Sequence, residues 1–167
     1  MEALGRLFDI TTGAVPVDLS TAAVTGKRVH LKNASAVTIV VFKAAGTAND
    51  DPTFTLQEHN AVSSGTSQGL SVINHYYVKQ AATLSGAETW TRVNQSTAST
   101  VTGDGTSAES QAIYVFEVSA TQLSDGFEWI SLNVADVGTN AQLGGVLYLL
   151  HGLAVQRTPE NLVNPQA

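Results

Sequence analysis

The sequence predicts an all-β fold, a β-sandwich or jelly roll of about eight to ten antiparallel strands with extended N- and C-terminal arms. Three observations carry this. Short segments rich in Val, Ile, Thr and aromatic residues alternate with clusters of Gly, Ser, Asn and Asp. Helical periodicity is nearly absent. Segments such as Val37 to Phe42 are apolar on both sides of an extended chain. An antiparallel sandwich normally wets one face of each sheet, so that second side is covered by loops or by a neighbouring subunit.

The elements follow in order. The first residues, MEALGRLFDITTGAVPV, carry isolated Leu7, Phe8 and Ile10 with a break at Pro16, and residues 1–13 read as an arm. Residues 14–156 form the sandwich domain. DLSTAAV (18–24) suits a short helical turn capped by Asp18 or Ser20. ASAVTIVVFKA (34–44) is a β-branched strand, and Asp50-Asp51-Pro52 is a turn whose proline presets φ. TFTLQEHN (53–60) alternates, with Phe54, Leu56 and Glu58 on one side and Thr55, Gln57 and His59 on the other.

GLSVINHYYVKQA (69–81) reads as a long strand or a bent pair, and ETWTRVNQ (88–95) sets Trp90 and Arg92 against Thr91 and Val93. Residues 96–110, small, polar and glycine-punctuated, read as an exposed mobile loop. QAIYVFEVSA (111–120) is a strand, and TQLSDG connects it, through one helical turn, to an internal strand. There Phe127 and Trp129 share one face, and Ile130, Leu132 and Val134 the other. NAQLGGVLYLLHGLAVQ (140–156) closes the domain, its Gly144-Gly145 pair marking a bulge or a close backbone approach. RTPENLVNPQA (157–167), interrupted by Pro159 and Pro165, is the second arm.

Composition narrows the function. Charged residues make up 13 %, about half the usual share, so the surface is rich in uncharged groups that desolvate at low cost against a partner. The net charge is −6 and the eight Lys and Arg are scattered, which leaves no basic stripe for nucleic acid. There is no cysteine, hence no disulfide, thiolate metal site or cysteine nucleophile. The N-terminus lacks a leader pattern and the longest apolar run, Val146 to Leu150, is too short for a membrane span; a soluble compartment is expected.

Catalytic and binding chemistry finds little footing. His30, His59, His75 and His151 are isolated in sequence, and no ligand spacing joins them to a metal. Asn49-Asp50-Asp51 and Asp104-Gly105 fall short of a calcium loop. Glu58, Glu88, Glu117 and Glu128 read as strand decoration. Tyr76, Tyr77, Trp90 and Trp129 suit core or interface anchoring better than stacking on bases or sugars. The chain is expected to be no enzyme and to use no cofactor and no metal.

YVFEVSATQLSDGFEWISLNVADVGTNAQLGGVLYLLHG (Tyr114 to Gly152) carries an E-V strand, a turn with Leu123, then Asp125-Gly126-Phe127, a strand, an Ala135-Asp136-Val137 turn and a strand ending in Leu-Tyr-Leu-Leu. With VTIVVFKAAGTANDDPTFTLQEHN (37–60), it resembles the small decoration, cement or head-stabilisation proteins of tailed bacteriophages. The resemblance covers about half the chain. It implies a structural virion protein on the outer capsid surface, assembled in the host cytoplasm, whose partners are the major capsid protein and copies of itself, expected as a homotrimer or other homo-oligomer. It brings no catalytic residues.

The interface candidates are Leu7, Phe8 and Ile10 in the first arm, Leu162 and Val163 in the second, and Tyr76, Tyr77 and Trp90 on the body. The alternatives are a tail, neck or fibre module with the same physics, or a carbohydrate-binding β-sandwich with Trp90, Trp129 or the tyrosine pair as platform.

Overall fold

The computed structural model describes residues 3–167, and residues 1 and 2 of the expected arm lie outside them. The described chain is an antiparallel sandwich of eleven strands: β1 (Phe8–Asp18), β2 (Val29–His30), β3 (Ala34–Lys43), β4 (Thr53–His59), β5 (Ser67–Gly69), β6 (Ile73–Ala81), β7 (Thr91–Ala98), β8 (Thr100–Thr102), β9 (Gln111–Ser119), β10 (Trp129–Val134) and β11 (Leu143–Leu153). One sheet runs β1-β11-β3-β9-β6-β7; the other runs β2-β10-β4-β5, with β8 also paired to β4. Placing β1-β11-β3-β9 over β2-β10-β4-β5 gives the interleaved order of a jelly roll. Strands β6, β7 and β8 are inserted between its fifth and sixth strands, and β6 and β7 widen the first sheet.

Alternation builds the core. Val37, Ile39 and Val41 of β3, Tyr114, Phe116 and Val118 of β9, and Val146, Tyr148 and Leu150 of β11 point inward and are buried. From the second sheet, Phe54 and Leu56 of β4 and Ile130, Leu132 and Val134 of β10 meet them. Phe54 lies 5.0 Å from the Tyr114 ring and 5.7 Å from Phe116, which locks the two sheets through a tilted aromatic layer. The internal strand is β10, as expected. Trp129 is buried on its other face under the His30 ring, stacked at 4.3 Å, while Phe127 falls short of the strand.

Most polar groups in the interior are paired; among the described residues the buried Tyr114 hydroxyl and Gln142 Oε1 have no partner. The Leu132 N–H donates to the Tyr148 hydroxyl at 2.9 Å, across the sandwich, and burial pushes that phenol far above its usual pKa. Gly13 makes the room, since a Cβ there would sit 2.7 Å from the Tyr148 ring. His59 is buried between the Ser67 and Ser131 hydroxyls, at 2.7 and 2.8 Å. Burial, with the nearby Arg28 charge, pulls it down to about 4, so it is neutral at physiological pH. Burial alone would raise the Glu58 carboxyl, but bonds from the Gln68 amide and from the Ser124 hydroxyl and N–H outweigh it and hold it low.

The structure differs from the sequence reading in three places. Residues 8–13 belong to β1, an edge strand paired with β11 from Phe8↔His151 onward. Residues 157–167 lie on their own domain: the His30 N–H donates to Pro165 O, the Arg157 N–H to Gly5 O, and the Gln166 amide to Thr12 O. Gly5, at φ +81°, makes the tight turn that brings Arg157 in. Residues 18–24 form a short turn and no helix: the Thr21 N–H donates to Asp18 O, and Asp18 caps the turn as expected, its carboxylate accepting from Ser20 and also from the distant Gln142 N–H.

The stretch 96–110 is no free loop. It contains β8 and ends in a segment held by Lys43, whose buried ammonium donates to the carbonyls of Ala44, Ser107 and Ser110. The Gly144-Gly145 pair does lie beside an irregularity, a register shift in β1 between Ala14 and Val17.

Two predictions come from this interior. Tyr148→Phe strands the Leu132 N–H and is expected to cost about 1–3 kcal/mol in urea unfolding. His59 has a folded pKa below its unfolded value of 6.5, so the unfolded chain takes up the proton first. Stability from this group is complete above about pH 6.5 and is lost as pH falls towards 4, on the order of 2 kcal/mol in all. His59→Gln should flatten that part of a stability-versus-pH curve.

Candidate interaction face

The outer side of the six-stranded sheet is the largest assembly of exposed apolar side chains. Its residues are those that β alternation turns away from the core. The register aligns them in rungs. One rung runs Thr12, Leu147, Val40, Val115, Tyr77, Arg92. The next on one side runs Gly145, Phe42, Ile113, Lys79, and on the other Ile10, Leu149, Thr38, Glu117. Phe42 is 60 % exposed and Leu147 44 %, far outside what a buried core position shows.

Two hollows shape this face. One, of about 450 Å³, lies over Gly145 between Pro16, Val40, Phe42, Leu143 and Leu147. The other, of about 330 Å³, lies across Tyr77, Trp90, Val115 and Glu117. The face carries few charges: Arg92 on the edge strand β7, and Lys79 and Glu117 on the interior strands β6 and β9. Lys79 Nζ rests 4.8 Å above the Trp90 ring, a cation–π contact that holds the half-exposed indole against the sheet.

A second apolar group lies where the termini meet. Leu4 and Leu7 are exposed on the turn that carries Gly5, and Val155 and Val163 on the C-terminal segment bound to it. Leu162 lines a cleft of about 110 Å³ with Asp9, Leu150 and Leu153.

The sequence candidates divide accordingly. Ile10, Tyr77 and Trp90 fall on the sheet face, while Leu7 and Val163 are exposed at the terminal corner and Phe8 and Leu162 are half-buried. Tyr76 is a correction: it is 6 % exposed and packs on Tyr114 and Phe116, because neighbours on a strand point to opposite sides. Trp129, buried under His30, cannot serve as a sugar platform. The interface candidates included none of Phe42, Leu143, Leu147, Val40 or Ile113. The run from Val37 to Phe42, apolar on both sides, was the signal for Val40 and Phe42.

The polar groups tested for catalysis or metal binding are engaged elsewhere. Asp51 accepts from Ser107 and the Ala108 N–H, Asp50 from Asn140, and Asp104 from Thr106 and Gln80. Among the described residues no three His, Cys, Asp or Glu side chains gather to hold a metal, and no helix is long and apolar enough to cross a membrane.

Gly65-Thr66-Ser67-Gln68-Gly69 has the G-x-S-x-G spacing, and Ser67 does bond His59. The sequence reading rejected nucleophilic catalysis for want of this motif, and residues 65–69 correct that. Ser67 opens the short strand β5, however, and not a strand-to-helix elbow, and the other nitrogen of His59 meets the Ser131 hydroxyl where a triad has a carboxylate. His30 and Glu128 converge at 3.0 Å, with the imidazole stacked on Trp129.

No family model, curated protein or solved structure matches the chain.

Because Phe42 lies on the surface of the folded chain, Phe42→Ser should change unfolding free energy by less than about 1 kcal/mol in protein dilute enough to be monomeric, while Phe116→Ala should cost about 3–5 kcal/mol. Chemical denaturation of both variants beside the parent protein checks this.

Proposed function

We propose that the chain is a structural virion protein, without catalytic residues, that binds the outer surface of a tailed-bacteriophage capsid and braces it by bridging capsomers. The observation that carries this reading is the gathering of exposed apolar side chains into a broad sheet face and a terminal corner, on a molecule so poor in charge. Surfaces of that kind gain stability when covered, and contiguous apolar patches mark interaction sites.

A protein that binds the assembled shell and not its free subunits shifts the assembly equilibrium by mass action. Many copies, each contributing a few kcal/mol, brace the shell against the pressure of packaged DNA. The terminal corner, with Leu7 and Val163, is the contact we assign to the shell. A face on one side of the sandwich and a corner at the termini give each copy two separate handholds, so that the second contact forms within an existing complex.

The test is co-sedimentation with expanded shells of the phage that encodes the chain, prepared without it. Deletion of residues 1–12 is unsuitable, since it removes nearly half of β1. The exposed pair Leu7→Asp with Val163→Asp keeps the fold and should weaken shell binding at least about tenfold. Parent protein that fails to bind shells, or a double variant that binds undiminished, would sink the assignment. Electron microscopy of a labelled copy separates head from tail, neck or fibre, because label spread over the head excludes the latter three.

A further inference from the structure

We propose that the outer face of the six-stranded sheet is the contact between two copies of this chain, packed face to face about a two-fold axis that lies in the interface and crosses the strands at the Val115–Tyr77 rung. This goes beyond the capsid reading and stands without it.

Area is the first argument. Six strands spaced by about 4.8 Å, each about nine residues long at about 3.3 Å per residue, span roughly 24 by 30 Å, or about 700 Å². A stable protein interface needs about 800 Å² from each partner, which this face meets once its side-chain relief is counted. The insertion of β6 and β7 supplies the last two strands of that width.

Charge is the second argument. Lys79 sits one outward position to one side of the Val115–Tyr77 rung, beside Ile113, and Glu117 sits one outward position to the other side. The two-fold axis exchanges those flanks. Lys79 of one copy then faces the flank of the other that carries Glu117, on the adjacent strand, and the reciprocal pair forms by symmetry. Arg92, at the end of the same rung on the edge strand β7, meets Arg92 of the other copy at the wet rim, where water screens the two charges.

Shape is the third. The same exchange sets the Ile10–Leu149 flank of one copy over the hollow at Gly145 of the other, the position on this face without a side chain. A face that packs on the same face of a second copy makes an isologous contact, so the symmetry is two-fold, in place of the three-fold suggested by the resemblance.

The experiment is sedimentation equilibrium of the full chain from about 1 to 200 μM, with thermal unfolding of every variant as a folding control. The parent protein should show twice the chain mass of 17.5 kDa. Phe42→Glu should be a folded monomer. Lys79→Glu and Glu117→Lys should each weaken association about tenfold, and their combination should restore it to within about threefold.

A parent chain monomeric at about 200 μM, a trimeric mass, undiminished association of Phe42→Glu, or no rescue by the combined swap overturns the proposal. Shell co-sedimentation of monomeric Phe42→Glu separates the two readings. If it binds shells, capsid docking stands on the terminal corner whatever the sheet face does. A dimer that never binds shells leaves the sheet contact standing and removes the capsid.

Discussion

The aromatic layer between the sheets, Phe54 against Tyr114 and Phe116 with Tyr76 packed on both of the latter, is the contact on which the rest depends. Large rings from β4, β6 and β9 fill the gap, and each fixes which side of its strand faces in. In a β-strand that choice is binary: once Phe116 and Tyr114 point inward, Ile113, Val115 and Glu117 point out. The apolar outer face is therefore a consequence of the core. The same register that buries one set of β-branched side chains presents the other.

Pairing in the interior explains how so uncharged a chain stays specific. Tyr148 bonds the backbone of the opposite sheet, His59 joins hydroxyls from two strands, and Lys43 anchors the 103–110 segment by its carbonyls. Each is a directional contact that hydrophobic burial alone lacks, and each penalises a slip of register by leaving a buried polar group without partner. With strands apolar on both sides, alternation by itself specifies register weakly. The polar contacts reinforce the choice of side that the packed rings make.

The terminal segments show the same division between local and distant causes. Each is poor in regular pattern and each carries exposed apolar residues, yet β1 is a full sheet strand and residues 157–167 lie on the body through hydrogen bonds with Gly5, His30 and Thr12. This confines the free apolar groups at that end to Leu4, Leu7, Val155 and Val163. The corner so formed is fixed in shape, which lowers the ordering cost of docking compared with a loose arm.

From the sequence alone, the all-β class, the β-branched strands at 37–42, 53–59 and 111–119, the shared side of Phe54, Leu56 and Glu58, and the internal strand from Trp129 to Val134 were legible; Glu58 itself, read as strand decoration, is instead buried on that side and held by Gln68 and Ser124. Each is a local pattern of period two bounded by turn residues. The doubly apolar run at Val37 to Phe42 also announced a face in need of a cover.

What the sequence could not decide was set by partners far along the chain. Residues 8–13 become strand only because β11, more than 130 residues away, offers its edge. Tyr76 goes to the core and Tyr77 to the surface because β9 fixes the phase of β6. Residues 103–110 are ordered by a lysine sixty residues upstream. A period-two pattern says that neighbours oppose one another; only the packed second sheet says which of them faces in.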